Sequence, residues 1–141
     1  MNILVIDGQG GGMGRQLVAA VRSAFPKADI TAVGTNALAT SAMLKAGASN
    51  GATGENAVTV CARKADFIMG PIGIAIADSL LGEVTPKMAE AVGKSGAVRI
   101  LLPVNACDTL MAGTADLSVN RLVESAVGIL CDKSAQKHAE I

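Results

Sequence analysis

The chain has 141 residues, half of them hydrophobic and 17% charged, with 12 basic residues set against 12 acidic ones. That length makes one domain of ordinary size, able to bury about 70% of the surface its unfolded chain exposes, and its apolar content excludes disorder outside the tail. Zero net charge leaves no electrostatic footprint for nucleic acid, and with no Trp, no Tyr and two Phe there is no aromatic platform for base stacking.

Residues 1–7 carry no basic region, and their apolar run is too short for a signal peptide. The longest apolar stretch, residues 67–77, is interrupted by Gly70, Pro71 and Gly73, so a membrane span is not expected. Cys61, Cys107 and Cys131 are an odd number without C-x-x-C spacing. They read as reduced thiols of a cytoplasmic protein rather than as a disulfide or zinc framework.

In chain order, residues 2–6 are an apolar run without alternation, as in a central parallel strand covered on both faces. A glycine turn follows. Residues 14–25 then form a helix with Leu17, Val18, Val21 and Phe25 on one side, ended by Pro26. Residues 29–33 are a second strand. Residues 37–46 place Ala39, Ala42, Met43 and Ala46 at helical spacing, with Gly47 as the cap. Residues 51–55 read as a second glycine turn, from which Thr53 caps a helix running to about Arg63.

Residues 67–70 are a third strand, broken by Pro71-Ile72-Gly73, and residues 74–81 are expected to be helical. Thr85-Pro86 opens another helix, on which Glu90 and Lys94 stand at i,i+4 spacing. Residues 98–104 are a fourth strand. Residues 109–112 follow too soon for a parallel crossover, which predicts a peripheral antiparallel strand. A last helix spans residues 118–132, and residues 133–141 read as a flexible polar tail.

Strand-helix alternation of this kind predicts a Rossmann-like three-layer α/β sandwich, a single domain over residues 1–132. Its mostly parallel sheet has four strands, with the antiparallel one beside them. The expected strand order is 2-1-3-4, with 3-2-1-4 as the alternative.

The most informative stretch is Asp7-Gly8-Gln9-Gly10-Gly11-Gly12-Met13-Gly14, which joins a buried strand to a helix. Glycines let backbone amides approach a phosphate, and a helix N-terminus adds about half a positive charge there. Such density of glycine costs conformational entropy on folding, and a mere turn needs fewer. Asp7 is awkward beside a phosphate: it either accepts the loop's amides or holds a metal bridging to the ligand.

In an open parallel sheet ligands bind beyond the carboxyl ends of the strands. Thr35 and Asn36 after the second strand, Pro71, Ile72 and Gly73 after the third, and Asn105 after the fourth therefore join the candidate site. Thr35 and Asn36 stand where dinucleotide-binding units usually carry an acidic residue, and they serve equally well as helix caps. Cys107 is a weak candidate nucleophile. The only histidine is His138, in the tail, so a catalytic triad, a histidine base or a His-rich metal centre is not expected, and no P-loop motif is present.

The Gly8, Gly12, Gly14 spacing resembles the glycine motif of short-chain dehydrogenases over about the first 25 residues. Those enzymes use a catalytic Tyr, which this chain lacks, so their chemistry does not carry over. As a whole the chain resembles a family of uncharacterised small bacterial proteins with a predicted Rossmann-like fold. The resemblance rests on Ile6-Asp7-Gly8-Gln9-Gly10-Gly11-Gly12, Val33-Gly34-Thr35-Asn36, Gly51-Ala52-Thr53-Gly54-Glu55-Asn56-Ala57, Gly70-Pro71-Ile72-Gly73 through Leu81-Gly82-Glu83, and Leu102-Pro103-Val104-Asn105. It implies a fold but no activity.

Three functions stay open. The chain is a nucleotide- or dinucleotide-binding protein, with NAD(P) or another nucleotide as ligand; an enzyme using such a cofactor; or a partner-binding module without a ligand. High apolar content in a small chain predicts a homodimer.

Overall fold

The computed structural model describes residues 1–104 and 108–139. Five strands, β1 (Asn2–Asp7), β2 (Asp29–Gly34), β3 (Asn50–Thr53), β4 (Phe67–Pro71) and β5 (Val98–Leu102), form one sheet in the order β3-β2-β1-β4-β5. Every pairing is parallel. Five helices alternate with them: α1 (Gly12–Ala24), α2 (Ala37–Lys45), α3 (Glu55–Lys64), α4 (Pro86–Lys94) and α5 (Val119–Ala139).

The pleat of β1 sorts the core into two layers. Ile3 and Val5 point to the side packed by α1, α2 and α5, with Leu17, Val21, Met43 and Leu130. Leu4 and Ile6 point to the side packed by α3 and α4, with Val58, Ala62, Met88 and Val92. A strand stretch buried on both faces is apolar throughout, which is why residues 3–6 show no alternation, while Asn2 at the start of β1 is exposed. The chain winds outward from β1 through β2 to β3, then returns to β4 and β5 on the other side. The winding order therefore reverses between the parallel neighbours β1 and β4, and their carboxyl ends flank a topological switch point.

The four expected strands stand in the expected order, 2-1-3-4, with β1 inside the sheet. A fifth lies outside them. Residues 51–55, expected as a glycine turn, are mostly strand β3, which pairs with β2 from Thr31↔Asn50 to Gly34↔Thr53. The α3 cap falls on Gly54, whose φ of 102° suits glycine, and Thr53 turns instead to Thr40, with hydroxyls 2.7 Å apart. Residues 74–81 are not an α-helix. A single 3₁₀ turn at Ile72–Ala75 is followed by tight turns in which Asp78, Leu80 and Leu81 all have positive φ. Among the described residues, none near 109–112 forms a strand. Helix α5 continues to Ala139 through the stretch expected as a tail, because Ser134 is buried and Lys137 lies 5.1 Å over the Phe67 ring.

Candidate functional site

Strand β1 delivers its glycine loop to the carboxyl edge of the sheet, and each loop glycine meets a different demand. Gly11 has φ 74° and sits against the α2 backbone, where an added Cβ would lie 2.8 Å from Ala39 Cα. At Gly14 a Cβ would come 2.5 Å from Met43 Sδ and 2.8 Å from Asp7 Cβ, so only glycine lets α1 pack this close to β1 and α2. At Gly8 a Cβ would meet Thr35 Oγ1 at 2.5 Å and Leu80 Cδ1 at 2.9 Å. Gly10 and Gly12 differ. Neither has a positive φ, and nothing lies within 4 Å of the Cβ that either lacks.

Asp7 is buried, and both of its oxygens accept backbone amides: Oδ1 from Gly8 at 2.8 Å, Oδ2 from Gly14 at 2.7 Å. Of its two expected roles, the structure assigns the holding of loop amides. Burial pushes this carboxyl above its ordinary value of 3.8, against the pull of the two amides, and the charge of Glu83 adds to the rise. Among the described residues no three His, Cys, Asp or Glu side chains cluster in a way that could hold a metal.

Thr35 and Asn36 come to the loop through Glu83, which the sequence shows within the stretch that carries the family resemblance but to which it gives no site role. Glu83 Oε1 accepts from the Gln9 amide at 3.0 Å, from Thr35 Oγ1 at 2.7 Å and from Asn36 Nδ2 at 2.7 Å. Asn36 Nδ2 also donates to the Gln9 carbonyl, and Asn36 Oδ1 caps α2 by accepting from the Ala39 amide. Asn36 thus performs the capping role and a bridging role at once. Burial acts to raise the Glu83 carboxyl, but its bonds from Thr35, Gln9 and Asn36 outweigh it and hold the group below its ordinary 4.5.

A cleft of about 650 Å³ opens on the other side of the loop. Gly12, Met13 and Gln16 of α1 form one wall, Pro103 and Val104 after β5 the floor, and Thr114, Asp116 and Leu117 the far side. The size is typical of small-molecule sites. The α1 amides of Gly12 and Met13, the first of the helix, have no partner among the described residues. Thr35, Asn36, Pro71, Ile72 and Gly73 do not line this cleft. Pro71 and Gly73 are buried, with the Gly73 carbonyl accepting from Ser79 Oγ. Asn105 and Cys107 lie outside the described residues.

Sheet order, two-layer packing and a glycine loop at the switch point define a Rossmann-like α/β protein. The chain belongs to the family described as Domain of unknown function (DUF3842), whose model matches residues 2–135. No curated protein matches it. Among solved structures it is similar to a dodecameric FMN-dependent UbiX-like decarboxylase from Escherichia coli O157:H7, at 14% identity and a TM-score of 0.46, over 96% of this chain and 94% of that one. These matches do not bear out the expected likeness of the loop to that of short-chain dehydrogenases. No described helix is long and apolar enough to cross a membrane.

Proposed function

We propose that this protein binds a nucleotide-like small molecule through its phosphate, in the cleft between the start of α1 and the chain beyond β5. The observation that carries this reading is Gly10 and Gly12. Neither backbone conformation nor packing requires glycine at these two positions, and both face open space. A phosphate approaching the main chain is the remaining demand that only glycine meets.

The donors are the Gly12 and Met13 amides, supplemented by the dipole of the 13-residue helix α1. Gln16 stands one turn further along the cleft and offers an amide to the body of the ligand. Asp7 does not line the cleft, and both of its oxygens are taken by the Gly8 and Gly14 amides, which leaves the Gly12 and Met13 amides to the ligand.

Thermal-shift measurement and calorimetry across AMP, ATP, GTP, FMN, NAD⁺ and NADP⁺ test the reading. A ligand at about 100 times its Kd stabilises the fold by about 2.7 kcal/mol. Loss of that shift in Gly12→Val, with the melting temperature of the free protein kept, supports it. Absence of any binding tighter than millimolar across the series refutes it.

A further inference from the structure

Glu83 lies 74 residues beyond Gln9 in sequence, yet its carboxylate is fastened to the glycine loop and to the β2–α2 turn together. It does not act alone. Leu80 of the same loop is buried and rests on Gly8, against which an added Cβ would meet both Leu80 and Glu83. The chain around them is held in an unfavourable shape, since the non-glycine residues Asp78, Leu80 and Leu81 have φ of 65°, 56° and 57°. Non-glycine residues in that region cost on the order of 1 kcal/mol each, and persist only where surrounding contacts over-determine them. The contacts here are Leu80 on Gly8 and the triple acceptor Glu83 Oε1.

This arrangement divides the carboxyl edge of the sheet. Beyond β1 and β5 the edge is open, as the cleft beside Gly12. Beyond β1 and β2, Leu80 packs on Gly8, and the Glu83 carboxylate takes the Gln9, Thr35 and Asn36 donors that meet there. A dinucleotide laid across the edge of a Rossmann-like sheet needs both halves, because its second nucleoside reaches the end of β2.

Resting on the phosphate reading above, we propose that Glu83 is a specificity residue: with Leu80 it closes the β2 half of the edge, so that the site takes phosphomonoesters carried on a compact body and rejects dinucleotides. The three donors it occupies are satisfied in the free protein, and a second nucleoside would have to displace a charged acceptor from all of them. A ligand with a terminal phosphate and its body over Pro103, Val104 and Thr114 meets no such obstacle.

Calorimetry with AMP, FMN, NAD⁺ and NADP⁺ on the full chain tests this, using the wild type, Glu83→Ala and Glu83→Gln. The wild type should bind AMP or FMN at least about tenfold more tightly than either dinucleotide. That preference should fall to less than about threefold in Glu83→Ala, by a gain in dinucleotide affinity. Glu83→Gln keeps one acceptor oxygen and the side-chain size, and carries the same readout if the alanine variant does not fold. A wild type that binds NAD⁺ as tightly as AMP and FMN, or variants of unchanged preference, overturns the proposal while leaving the phosphate site standing. A wild type that binds none of the four overturns this proposal, and the phosphate reading falls with it only if ATP and GTP fail to bind as well.

Discussion

At the scale of single residues, the loop glycines divide into those the fold needs and those it does not. Gly14→Val drives a branched side chain into Met43 and Asp7, and should destabilise the protein by about 1–3 kcal/mol, read as a lower denaturation midpoint. Gly12→Val should leave that midpoint in place, since its φ is ordinary and its surroundings are empty. The pair separates packing from ligand approach two residues apart. The loop's glycines are legible in sequence, but their division of labour is not, because it depends on where Met43 of α2 and Leu80 of a later loop arrive.

The two carboxylates make opposite contributions to acid stability. Glu83 is held below its ordinary 4.5 in the fold, so the stability it adds is complete above that value and is lost as pH falls through the folded one. Asp7 is raised above 3.8, so its charged form weighs against the fold, and that penalty is relieved as pH falls through its folded value. Thermal unfolding followed from neutral pH to below the ordinary glutamate range should therefore show a fall for the wild type that flattens in Glu83→Gln. An unchanged acid limb in the variant would remove Glu83 from that account.

At the scale of elements, helices α2 and α4 are expected to differ in what their side-chain caps support. Thr85 Oγ1 accepts from the Met88 amide and does little else, so Thr85→Ala should cost about 1 kcal/mol. Asn36 caps α2 and also binds Gln9 and Glu83, so Asn36→Ala should cost at least about 2 kcal/mol in urea denaturation. Equal costs for the two would mean that the Asn36–Glu83 bond contributes nothing. Elements with their own periodicity or punctuation, such as β1, α1 and the Thr85-Pro86 start of α4, were legible in sequence. Strand β3 was not, since Asn50-Gly51-Ala52-Thr53 has no apolar pattern. It is a strand because β2 offers it a ladder, because Leu44 covers Gly51 and because Thr53 meets Thr40. Residues 74–81 misled in the opposite direction: their apolar run suits a helix, but the buried Leu80 and the reach of Glu83 to Gln9 hold it in turns.

At the scale of the whole molecule, exposed apolar surface bears on the number of chains that assemble. Leu110 and Leu81 are 99% and 98% exposed, and Met111, Leu117 and Val119 add apolar surface to the connection between β5 and α5. Scattered exposed leucines are ordinary, but apolar residues gathered on one connection mark a candidate contact surface. Among the described residues, both outer strands, β3 and β5, also leave one edge of backbone groups without a strand neighbour. A homodimer that covers the β5–α5 connection would bury the exposed leucine and methionine there and place the second chain beside the cleft, since Thr114 and Leu117 belong to both. Light scattering at micromolar concentration should then report about twice the chain's 14.1 kDa. Leu110→Asp should shift the population toward monomer, and it should weaken AMP or FMN binding as well if the partner helps to close the cleft. A wild type that is monomeric at that concentration would refute the dimer, and a dimer indifferent to Leu110→Asp would move the interface to another face.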